Sequence, residues 1–124
     1  MADATTVTDL GAYAEAPVSA AAAGRGEPSW LVRSREEGAR AFAVTPMPTS
    51  ALRPWKYTDL SKHTIEEFVP DAAFTPVVVA SAPAGGFAGT IADALRDASQ
   101  AAAVEAALGS VVQGTESKFV AANA

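Results

Sequence analysis

The chain has no cysteine, which removes disulfide frameworks, thiolate metal sites and cysteine nucleophiles, and leaves nothing that points to an oxidising compartment. Its one histidine is His63. A single imidazole with no thiol or second imidazole nearby makes no convincing metal site, so His63 reads as solvent-facing or locally hydrogen-bonded. Basic residues are also scarce: nine Lys and Arg stand against fourteen Asp and Glu, for a net charge of -5 over 124 residues. Scattered cations in an acidic chain argue against a nucleic-acid partner, because phosphate binding relies on clustered Lys and Arg that release counterions. No apolar run approaches the ~20 residues needed to cross a bilayer. No Lys or Arg precedes Arg25, so the start of the chain lacks the charged region of a secretory signal. The expectation is a soluble cytoplasmic protein with no membrane partner.

Catalytic signatures are missing too. Gly85-Gly86 has neither the spacing nor the lysine of a phosphate loop. Asp93, Asp97 and Glu105 fall on the polar side of one helical stretch, whereas an acid/base pair needs a shared cleft. No Ser, His and Asp set forms a local signature. No catalytic, cofactor-binding or metal-ligating residue is assigned, and the chain is expected not to be an enzyme.

What the chain does have is punctuation by proline and a few rings. Aromatics make up 7% of residues, so each ring is a large share of the area available for burial. Pro46, Pro48 and Pro54 remove backbone donors and hold the chain away from helix. The stretch 46–54 is therefore a stiff connector. If residues 55–57 are extended, Trp55 and Tyr57 share a face and Lys56 takes the other. The expected structural anchors are Trp30, Phe42, Trp55, Tyr57, Leu60 and Phe68. An alternative use of the same rings is a small helical ligand-binding domain or enzyme with a pocket lined by Trp55 and Tyr57.

In chain order, residues 1–26 read as a flexible segment in which a short helix around Leu10 and Tyr13 is stopped by Pro17. Pro28 opens a helix whose apolar stripe is Trp30, Leu31, Ser34, Gly38, Ala41 and Phe42. Glu36 and Arg40 form an i, i+4 pair on it worth about 0.3–0.5 kcal/mol. Thr64-Ile65-Glu66-Glu67 has the order of a capping box and predicts a short helix before Pro70, with Ile65 and Phe68 on one side. The β-branched run at 76–80 predicts a short strand. Thr90-Ile91-Ala92-Asp93 starts a second helical stretch, breakable near Ser99-Gln100 and ending at a left-handed Gly109. A last helical turn toward Asn123 is expected to bury Phe119 and Val120. The fold class is mainly α with a short β element.

Three blocks carry a family resemblance: Glu27-Pro28-Ser29-Trp30-Leu31 with Arg35, Ala39 and Phe42; Pro46-Met47-Pro48-Thr49; and Trp55-Lys56-Tyr57-Thr58-Asp59-Leu60. Gly89-Thr90-Ile91-Ala92-Asp93-Ala94-Leu95, Leu108-Gly109-Ser110-Val111-Val112 and Ser117-Lys118-Phe119-Val120 continue it. Together they resemble the N-terminal region of SufD-type members of the SufB/SufD family of iron-sulfur cluster assembly scaffolds. The resemblance covers residues 27–124 and implies a small helical N-terminal domain that lacks the parallel β-helix core into which family members continue. It further implies a non-catalytic fragment of a scaffold subunit, acting by protein-protein interaction within a SufBCD-type complex. The SufB- and SufC-like partners would be met through the downstream regions. No cofactor belongs to this chain, the iron-sulfur cluster and ATP being handled by the full complex.

Overall fold

A computed structural model describes residues 10–69, 81–112 and 116–123. Its described residues are helical: α1 at Glu15–Gly24, α2 at Ser29–Val44, α3 at Ile91–Arg96, α4 at Ala98–Ala107 and α5 at Lys118–Ala122, with 3-10 turns at Gly11–Tyr13 and Arg53–Trp55. The mainly-α expectation holds, while the strand expected at 76–80 lies outside the described residues. The chain forms two compact units, one from Met1–Pro70 with Gln113–Ala124 and one from Asp71–Val112.

In the first unit α1 corrects the expectation of a flexible start for the residues from Leu10 onward. Pro17 does not stop a helix there; it sits in the first turn of one. The first donor that needs an intrahelical partner is Val18, whose amide donates to the Ala14 carbonyl at 3.1 Å, so the donor missing at Pro17 costs nothing. The helix ends at Gly26, whose φ of 65° suits the residue without a Cβ. Gly26 N donates to Ala23 O at 3.0 Å and Glu27 N to Ala22 O at 3.2 Å, the paired bonds of a left-handed glycine cap.

That cap reverses the chain, and α1 and α2 run antiparallel. The pairing follows from the cross-contacts: Glu15 with Arg40 at 2.6 Å and Ser19 Oγ to Glu36 Oε1 at 2.8 Å. Both residues of the expected Glu36 and Arg40 pair therefore reach across to α1 instead of to each other. Ala22 on α1 and Leu31 and Ala39 on α2 are buried. The α2 stripe is largely as the periodicity predicts, with Leu31, Gly38, Ala39, Ala41 and Phe42 buried. Pro28 is the cap preceding the helix, one position earlier than its expected place inside the first turn.

Phe42 is fully buried at the centre of a cluster with Ala41 and Ala121 of α5, against which Leu10, Tyr13, Ile65 and Ala122 pack. The Tyr13 ring stacks on it at 4.8 Å between centroids. The short helix expected from Thr64 is absent; residues 61–69 are turns and bends. A segment that Pro70 closes after barely two turns gains too few hydrogen bonds to offset helix nucleation. Ile65 still reaches the core, but Phe68 is 67% exposed, which corrects its expected role as an anchor.

In the second unit, the Thr90 hydroxyl caps α3 by accepting from the Asp93 amide at 3.1 Å. The break between helices falls at Asp97, two residues before its expected place. Asp97 takes an extended conformation and its carboxylate accepts from the Ser99 amide at 2.9 Å. An aspartate that caps the next helix ends the previous one. Gly109 has a φ of 73°, the left-handed conformation expected after α4.

Candidate functional site

The connector after α2 folds into successive turns. Thr45 closes α2 by donating its hydroxyl to the Ala41 carbonyl at 2.6 Å. Pro48 is fully buried, and its carbonyl accepts from the Leu60 amide at 3.1 Å, which ties the two ends of this segment together. Leu60 is half-buried, as is Trp30 on α2.

Residues 53–55 form a 3-10 turn and 56–57 continue as a turn, so the run 55–57 is not the extended one that alternation assumed. Each step around such a turn rotates the side chain by about 120°, so residues two apart diverge. Trp55 is half-buried and stacks on Phe119 of α5, centroids 5.7 Å apart. Tyr57 is 91% exposed, and its expected place as a core anchor is thereby corrected. Lys56 lies beside it, with its ammonium 5.3 Å from the Tyr57 ring centroid. The two rings therefore line no common pocket. The depression in this region is open and lined by Ser50, Ala51, Arg53 and Lys56.

The charged centre of the first unit is a lysine that sequence reasoning left out. Lys118 is 6% exposed. Its ammonium donates to the Phe42 carbonyl at 3.0 Å, pairs with Glu66 Oε1 at 3.1 Å and stands 3.8 Å from the Phe42 ring centroid. Burial pushes the Glu66 carboxyl up, but backbone hydrogen bonds and Lys118 together hold it below its ordinary value. A buried ammonium with a carboxylate, a carbonyl and an aromatic face has its desolvation offset on several sides. Neither the lysine nor the glutamate carries a local signal, because the partners lie far apart in the chain.

A second ionic cluster joins the α1 cap to α2. Arg35 Nε and Arg25 Nε donate to the two Glu27 oxygens at 2.6 and 2.9 Å. Burial raises the Glu27 pKa, and the two guanidinium groups more than reverse that and leave it lowered.

His63 is exposed. Asp93 pairs with Arg96 at 3.0 Å on the surface of α3, Asp97 is used as a helix cap, and Glu105 is exposed. These carboxylates share no cleft among the described residues. No group of three or more His, Asp or Glu side chains among those residues is gathered in a way that could hold a metal ion, and no described helix is long and apolar enough to cross a membrane. The ionic clusters at Lys118 and Glu27 hold elements together, while Arg53 and Lys56 are exposed beside an open depression. No protein-family model, curated protein or solved structure matches the chain.

Proposed function

We propose that this chain is the N-terminal helical domain of a SufD-like scaffold subunit and acts without catalysis, by protein-protein interaction in a cytoplasmic complex that assembles iron-sulfur clusters. The observation that carries the reading is the order and spacing of Pro46-x-Pro48 and Trp55-Lys56-Tyr57-Thr58-Asp59-Leu60, which follow a helix opening with Glu27-Pro28-Ser29-Trp30-Leu31. Support of a coarser kind comes from the use of this block: Trp55 and Leu60 face inward while Lys56, Tyr57, Thr58 and Asp59 are exposed, a division suited to a connector that also presents a surface. The same reading keeps a short β element at 76–80, and it assigns the contacts with SufB- and SufC-like subunits to a downstream β-helix.

The test is affinity purification of the tagged product of the whole reading frame from the cells that express it. SufB- and SufC-like subunits are expected in the eluate, together with a continuation past Ala124 of short strands separated by turns. An intact product recovered without either subunit overturns the reading. In a reconstituted scaffold complex, addition of the isolated chain is expected to leave ATP hydrolysis unchanged; clear stimulation contradicts a non-catalytic, non-regulatory role.

A further inference from the structure

Arg53 and Lys56 stand three residues apart on a 3-10 turn, the spacing at which side chains eclipse because that helix has about three residues per turn. Both are exposed, and both line the same open depression with Ser50 and Ala51. Behind them the turn is held in place: Pro54 restricts the backbone, and Trp55 stacks on Phe119. The two cations are therefore presented from a turn whose conformation is set before any ligand arrives, which lowers the ordering cost of binding.

Four cations of the unit are already paired, and Arg33 and Lys62, exposed and without an ion pair among the described residues, lie outside the depression that Arg53 and Lys56 share. Arg25 and Arg35 are taken by Glu27, Arg40 by Glu15 and Lys118 by Glu66. Among the described residues, Arg53 and Lys56 make no ion pair. The nearest acid in the chain, Asp59, accepts from the Ser61 amide at 2.9 Å. Two like charges side by side, with no internal counter-charge, make a local positive patch on a chain of net charge -5.

We propose that the surface formed by residues 50–57 docks an acidic segment of a partner protein, its carboxylates meeting Arg53 and Lys56 while apolar side chains beside them rest on Leu52 and Tyr57. Leu52 is 53% and Tyr57 91% exposed, so both offer uncovered apolar area next to the charges. Nucleic acid fits less well: a net negative chain repels a long polyanion, and two cations release few counterions. The inference stands on this turn alone and does not depend on the SufD assignment.

The test is an NMR titration of the isotopically labelled chain with a synthetic decapeptide of glutamate and leucine, run beside inorganic phosphate and a thymidine oligonucleotide. Amide shifts are expected at 50–57 with the peptide, and to fade near 0.5 M salt (roughly, from screening). Arg53→Ser with Lys56→Ser is expected to weaken binding about tenfold, from the loss of two exposed ion pairs. Lys62→Ser, an exposed cation outside the depression, changes it less than about twofold by the same reasoning. Amide dispersion checks that each variant is folded, and the salt series on the unsubstituted chain gives a readout that needs no variant. Shifts absent or centred elsewhere, binding insensitive to salt or to the double substitution, or equal or tighter binding of phosphate or the oligonucleotide each overturn the proposal.

Discussion

Replacing Lys118 with methionine removes a charge while keeping most of the stem that packs beside Phe42. The ammonium is lost from the Phe42 carbonyl and from Glu66, contacts of 3.0 and 3.1 Å. A hydrogen bond to a charged group contributes about 1.5–3 kcal/mol, and removal of one partner of a buried ion pair costs about 3–5 kcal/mol in all. Glu66 is 13% exposed, so it can take up a proton or turn toward water, which caps the penalty. The expected loss is about 2–4 kcal/mol at neutral pH, a large share of the ~5–15 kcal/mol typical of a folded domain. The Glu66 pKa is lowered in the folded state. The stability it contributes is therefore fully present above the ordinary carboxyl value of the unfolded chain, and it is lost as pH falls through the depressed folded value. The cost of Lys118→Met should shrink in acid as Glu66 becomes protonated. Urea unfolding of the unsubstituted chain, Lys118→Met, Glu66→Gln and the double variant, at neutral pH and below about pH 4, measures both effects. A coupling of about 1–3 kcal/mol is expected at neutral pH. Additive effects below about 0.5 kcal/mol, or a cost for Lys118→Met that grows in acid, refute the reasoning.

Trp55→Ala should destabilise by about 2 kcal/mol, less than the ~3–5 kcal/mol of a fully buried ring, whereas Tyr57→Ala should stay within about 0.5 kcal/mol; thermal unfolding distinguishes them. Gly26→Ala, which forces a Cβ into the left-handed region, is expected to cost about 1 kcal/mol by denaturant titration, while Pro17→Ala should be nearly neutral. Thr90→Ala removes the α3 cap and should cost about 1 kcal/mol, read as faster amide exchange at 91–96. Glu27 has a lowered pKa, so Glu27→Gln should flatten the fall in stability on acidification through the depressed value, measured by urea midpoints across pH.

The helical periodicity of α2 was legible because its stripe answers to one neighbouring surface, and the α3 cap because Thr90 and Asp93 are three residues apart. Gly109 was legible for the same reason: its signal is local. Tyr57 was misplaced because alternation was applied to a segment that coils into a 3-10 turn, and proline is compatible with both conformations. The short helix at 64 was overestimated because capping order says where a helix can start and not whether enough residues follow. Glu36 and Arg40 bond to Ser19 and Glu15 of α1, and spacing along a single helix shows only its own i, i+4 neighbours. Lys118 was invisible for a related reason: a lysine announces burial only through its partners, and Phe42 lies 76 residues away.

That separation bears on how the protein is made. Part of the first unit is encoded before the Asp71–Val112 unit and part after it. While the ribosome is still producing the intervening stretch, Phe42 has Leu10, Tyr13 and Ile65 to pack with but neither Ala121 nor the Lys118 ammonium, and the nascent first unit must wait with that side of its core unfilled. Because the entropy of bridging such an excursion rises only slowly with its length, insertions within the second unit should leave that late closure intact, whereas a stop before Lys118 should leave the first unit open.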